Sequence, residues 1–163
     1  ASVAYLVKPS PRWDYLAYSS AELGVIFTTL MLISGIAFSK VAWGIWWSWT
    51  PKLTTSIILW FIYIGYLMLR SYVPKGSKSA RYGAVLGIMG FIDVPIVFFA
   101  ANWWRDLHPE RIIGPGQTLE WPMLVTLLVS VIAFTFLYIY LLVERYTLRR
   151  VEETLDGTRY ALG

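Results

Sequence analysis

The chain has 163 residues, 57% of them hydrophobic and 15% charged, with a formal net charge of +4 and a mean hydropathy of +0.56. A soluble domain of this size could neither bury so much apolar surface nor cover it with so few charges, so the composition indicates a membrane protein. Cysteine is absent and histidine occurs once, which excludes disulfides, iron–sulfur clusters and thiolate chemistry and speaks against a zinc cluster.

Residues 1–7 are apolar but too short to span, and they lack the charged start and cleavage site of a signal peptide. They read as the end of an earlier membrane helix, as in the C-terminal portion of something longer or in a naturally split protein. Four longer apolar segments follow, at about 21–38, 53–69, 82–101 and 122–143. Each is close to the roughly 20 residues that a helix needs to cross about 30 Å of hydrocarbon. None alternates strictly as a barrel strand does, and helices satisfy their own backbone in lipid. The expected fold is therefore all-α, a single polytopic membrane domain with four transmembrane helices.

Ser19 and Glu22 have the spacing of a capping box for the first span, and Pro51 and Pro122 stand where helices commonly begin. The run Pro74-Lys75-Gly76-Ser77-Lys78 reads as an exposed turn between the second and third spans. On the third span Gly83, Gly87 and Gly90 recur at helical spacing and mark a face that another helix can approach closely. Asp93 lies within the same span, two residues before Pro95. It is read as structural, beside a kink whose freed backbone groups need partners, with a proton relay as the alternative.

Ten of the fourteen basic residues lie before the first span, between the second and third, or after the fourth; Lys40, Lys52, Arg105 and Arg111 lie in the other two loops. The positive-inside rule then puts segments 8–20, 70–81 and 144–163 in the cytoplasm and loops 39–52 and 102–121 on the outer face. The basic residues form no single solvated stripe, so membrane lipid and not nucleic acid is the expected partner. The outer loops carry Trp43, Trp46, Trp47, Trp49, Trp103, Trp104 and Trp121.

Trp43, Trp46 and Trp47 are spaced i, i+3, i+4, so a helical loop would place their rings on one face, with Trp49 displaced from it. Gly44 removes a side chain in their midst. Two readings stand: an interfacial aromatic belt, or a shelf for a large planar apolar ligand such as a porphyrin. His108, just beyond the third span beside Pro109, is either a surface residue or an iron ligand. Arg105 is either an interfacial anchor or the partner of a haem propionate. The sequence lacks a Gly-Lys-Ser/Thr phosphate loop, so it is not expected to hydrolyse ATP itself, and it shows no nucleophile–base–acid set, which favours a binding role over an enzymatic one and leaves the second open.

Trp43-Gly44-Ile45-Trp46-Trp47-Ser48-Trp49, with a following helix from Leu53-Thr54, resembles the tryptophan-rich signature of haem-handling proteins in cytochrome c biogenesis. Asp93-Val94-Pro95 leading to Trp103-Trp104-Arg105-Asp106-Leu107-His108-Pro109 is similar, more narrowly, to the CcmC family. The resemblance runs from about residue 21 to residue 143. It implies a six-helix fold in the inner membrane of bacteria or organelles, a tryptophan platform for haem b and two outer-face histidine ligands. By position His108 matches the second. It also implies a complex with CcmA, CcmB and CcmD that loads haem onto the chaperone CcmE. The first two family helices and their histidine have no counterpart here, and Thr50 stands where the family signature carries an Asp. A cytochrome c synthase of haem-lyase type and a non-haem structural subunit are the competing readings.

Overall fold

The computed structural model describes residues 1–74, 76–103 and 120–162, and the side chains among them apart from those of 101–103, 153 and 156–162. The described residues form five helices: α1 (Ser2–Val7), α2 (Pro11–Trp43), α3 (Pro51–Tyr72), α4 (Ser77–Trp103) and α5 (Trp121–Leu162). Helices α2 to α5 are each long and apolar enough to cross a membrane. The protein is an all-α membrane protein, as its composition requires.

Local chemistry sets the helix ends. Ser10 takes an extended conformation and Pro11 opens α2, where its missing N–H costs no hydrogen bond. The α2 C-terminus is closed by Gly44 at φ 75°, whose N–H reaches the Lys40 carbonyl at 3.1 Å. Pro51 opens α3 behind Thr50, whose hydroxyl accepts from the Leu53 N–H at 3.4 Å. Within the apolar stretches Thr29, Ser34, Thr126, Ser130 and Thr135 each donate to the carbonyl four residues earlier, which hides their hydroxyls from lipid.

The expected capping box at Ser19 and Glu22 is not formed. Both residues lie inside α2, which starts at Pro11; Ser19 is wholly buried, and Glu22 faces Arg145 at 4.0 Å. The cap lies upstream because α2 extends beyond its apolar stretch, and two charged residues there meet partners on other helices, Asp14 on α3 and Glu22 on α5.

The long helices run up and down in alternation. Asp14 in the first turn of α2 meets Arg70 in the last turn of α3, and further along Trp60 Nε1 donates to Thr29 Oγ1 at 2.8 Å. On the other flank of α2, Tyr15 contacts Tyr146, and Phe27 contacts Phe134 and Tyr138 of α5. Helix α4 runs antiparallel to α3 through the expected glycine face. A Cβ at Gly83 would lie 3.0 Å from Arg70 Cδ and 3.1 Å from Tyr66 Cε2, and one at Gly90 would lie 3.1 Å from Tyr63 Cζ. Small residues here admit aromatic rings to backbone distance. Short α1 packs on α4 and α2.

Helix α5 lies against α2 alone among the described helices. Phe134, Phe136 and Tyr140 on it are each more than 60% exposed, an arrangement suited to hydrocarbon and not to water. Helix α4 continues through Pro95, and Asp93 before it is buried. The expected pairing of Asp93 with freed backbone groups is not seen at Oδ2, which has no hydrogen-bond partner among the described residues.

Candidate functional site

The alternating topology gathers the end of α2, the start of α3, the end of α4 and the start of α5 at one end of the bundle. Trp43, Gly44, Trp46, Trp47 and Trp49 lie there, with Trp103 as the last residue of α4 and Trp121 as the first of α5. Trp104, Arg105 and His108 follow α4 and lie outside the described residues.

The helical shelf anticipated for Trp43, Trp46 and Trp47 does not form. Trp43 closes α2, Gly44 takes the left-handed conformation, and residues 45–50 are non-helical. The i, i+3, i+4 spacing therefore carries no shared face. A non-glycine residue would be strained at Gly44, and this reversal sends the chain out of the helix axis and over the bundle end.

The rings instead form two small assemblies. Trp43 packs edge-on against Phe38 with centroids 5.7 Å apart, and Trp47 packs edge-on against Trp49 at 5.5 Å. Both are T-shaped pairs of the kind aromatic quadrupoles favour. Lys40 holds the turn between them. Its Nζ donates to the Gly44 carbonyl at 3.0 Å and lies 5.7 Å from the Trp46 ring centroid. One cation thus holds the turn by its backbone and attracts the next indole by its face. Nothing in the composition singled out Lys40; its position four residues before Gly44 was the available signal.

Trp46 and Trp49 remain 62% and 76% exposed, so two large apolar rings stand ready to cover a ligand or meet lipid. Trp47 is half-buried, and its Nε1 has no acceptor among the described residues. Thr50 is buried and caps α3. Asp is as good as Thr at an N-cap, so the replacement retains a side-chain oxygen where the helix needs one.

The opposite end carries a second polar cluster that the sequence reading counted only as positive charge. Arg70 Nη2 donates to Asp14 Oδ2 at 2.7 Å, with the two side chains 5% and 15% exposed. The Tyr18 ring lies between two guanidinium groups, 5.6 Å from Arg70 and 4.1 Å from Arg149. Tyr66, 1% exposed, packs behind Tyr18.

Sequence comparison places these features in a family context. The family model described as "Heme exporter protein C" matches residues 1–159. A "Heme exporter protein C" of Bradyrhizobium diazoefficiens is 38% identical over 141 residues, covering 85% of this chain and 54% of the relative. One from Haemophilus influenzae is 33% identical over 155 residues, covering 94% and 63%. A "Putative cytochrome c biosynthesis ccmC-like mitochondrial protein" of Marchantia polymorpha is 32% identical over 138 residues, covering 84% and 58%. The chain thus matches little more than half the length of each of these relatives.

Proposed function

The chain belongs to the haem exporter protein C family, and on that premise we propose that it holds haem at the tryptophan-rich end of its helix bundle and hands it on in cytochrome c maturation. The observation that carries this reading is the exposure of Trp46 and Trp49 on a non-helical segment anchored by Gly44 and Lys40. The same bundle end takes in the last residue of α4, from which the chain leads toward His108. Exposed indole faces suit a flat apolar macrocycle, and the imidazole of His108 suits its iron.

In this reading Trp43, Gly44, Trp46, Trp47 and Trp49 form the platform, Trp103 and Trp104 border it, Arg105 pairs with a propionate and His108 ligates the iron of haem b. Haem is the cargo and no covalent chemistry is assigned to the chain. Histidine occurs once in the sequence, so a second histidine ligand comes from outside these residues. The charge distribution supports a tryptophan-rich end on the outer face, and family membership supports CcmA, CcmB and CcmD as companions and CcmE as acceptor. The deciding experiment is to purify the assembled protein with haem and compare it with His108→Ala. Ligation predicts a shifted Soret band and reduced haem stoichiometry; an unchanged spectrum and stoichiometry refute it.

A further inference from the structure

The far end of the bundle contains a cavity of about 1100 Å³ lined by Tyr5, Asp14, Tyr18, Arg70 and Arg149 among others. We propose that it binds the phosphate headgroup of an anionic phospholipid. This inference does not rest on the haem reading.

Among the described residues, Arg70 and Arg149 present two permanent cations to the cavity wall, and Asp14 presents one anion. Glu152 lies 3.3 Å from Arg149 Nη1, but its side chain is 61% exposed and solvated. The Arg70 side chain is only 5% exposed and commits Nη2 to Asp14. Its Nε is buried without a hydrogen-bond partner among the described residues, and so is that of Arg149. A buried cationic donor left without an acceptor is costly. A phosphodiester supplies the acceptors that both Nε groups lack, with oxygens that a guanidinium can grip two at a time.

The surroundings favour a lipid over free phosphate. An adjoining groove of about 680 Å³ is lined by Lys8, Arg12, Trp13, Leu16, Leu142 and Val143 among others. Ser10 lines both spaces, and the Tyr15 ring of the first touches the Tyr146 ring of the second. The groove therefore offers two more cations beside an apolar floor on α2 and α5. It lies next to the apolar stretches of both helices, where headgroups meet hydrocarbon and an acyl chain can follow Leu16 and Val143 inward. Basic pockets between membrane helices are general sites for anionic headgroups. Inorganic phosphate has no use for the apolar floor.

The test uses the full-length protein in detergent, titrated with phosphatidylglycerol, phosphatidylcholine of the same acyl chains, or inorganic phosphate, and read by native mass spectrometry and thermal melting. Phosphatidylglycerol should bind and raise Tm more than phosphatidylcholine. Arg149→Gln should weaken phosphatidylglycerol binding roughly tenfold or more, the loss of one charge-assisted contact. Arg149→Lys should retain part of it, and haem binding should be unchanged in both variants. Equal binding of the two lipids, or undiminished phosphatidylglycerol binding in Arg149→Gln, overturns the proposal. Inorganic phosphate that displaces phosphatidylglycerol at comparable concentration also overturns it, because a free anion is then the ligand. If Arg149→Gln does not fold, the difference in Tm shift between the two lipids on the unaltered protein decides.

Discussion

Replacing Trp46 by Ala separates a ligand platform from a packing role, because the ring is 62% exposed in the folded protein. An indole side chain carries about 150–250 Å² of surface, so about 90–155 Å² of Trp46 is open to a ligand. A planar macrocycle covers one face, roughly half of that area. At about 25 cal/mol per Å² the contact contributes about 1–2 kcal/mol, or about a 5- to 30-fold loss of haem affinity on truncation. The folded state loses about half as much. The interaction of Lys40 with the ring, at 5.7 Å, contributes about 0.5–1 kcal/mol at an exposed site. Haem titration followed in the Soret band, paired with a thermal melt of the haem-free protein, should show Kd rising while Tm stays nearly constant. A Kd within twofold of the unaltered protein would refute the platform. Trp49→Ala, on a ring 76% exposed, should behave in the same way.

Three further outcomes test the framework that presents the rings. Arg70→Met leaves the part-buried Asp14, its side chain 15% exposed, without its partner and should cost about 1–3 kcal/mol of stability; denaturant unfolding in mixed micelles would measure it, and a loss under about 0.5 kcal/mol would show that the pair is not stabilising. Gly44→Val should cost about 1–2 kcal/mol, since the strain lies in the left-handed backbone and no atom stands within 4 Å of an added Cβ. Gly44→Asn should recover most of that loss because Asn tolerates this conformation, and equal melting temperatures for the two variants would contradict the account. Thr50→Val should lose about 1 kcal/mol through the missing cap, whereas Thr50→Asp should keep both stability and haem affinity; a gain in haem affinity on introducing the Asp would mean that the carboxylate has a ligand-facing role beyond capping.

Much of the tryptophan-rich end was legible from residue order. Pro51 and Pro122 stood at helix starts as expected, the glycine face of α4 received its aromatic neighbours, and Trp43 to Trp49 fell at a junction between helices. The ring arrangement was not legible. Spacing predicts a shared face only while the backbone stays helical, and Gly44 ends the helix between Trp43 and Trp46. Ser19 and Glu22 failed as a cap for a related reason: capping boxes are read from local order, whereas the helix persisted upstream through polar residues with tertiary partners.

The sequence by itself determined a helical membrane protein with four apolar segments long enough to span, and the described residues carry four such helices, because hydrophobic length and the need for internal backbone hydrogen bonding favour helices in lipid. It also placed Trp43, Trp46, Trp47, Trp49 and Trp121 at alternate junctions between spans, which connectivity assigns to one end. Tertiary structure decided which charges meet. Arg70 finds Asp14 56 residues earlier in the chain, and Arg149 closes over Tyr18 from another helix. Those contacts follow from how the helices are rotated and packed against one another, where packing and not periodicity selects the neighbour.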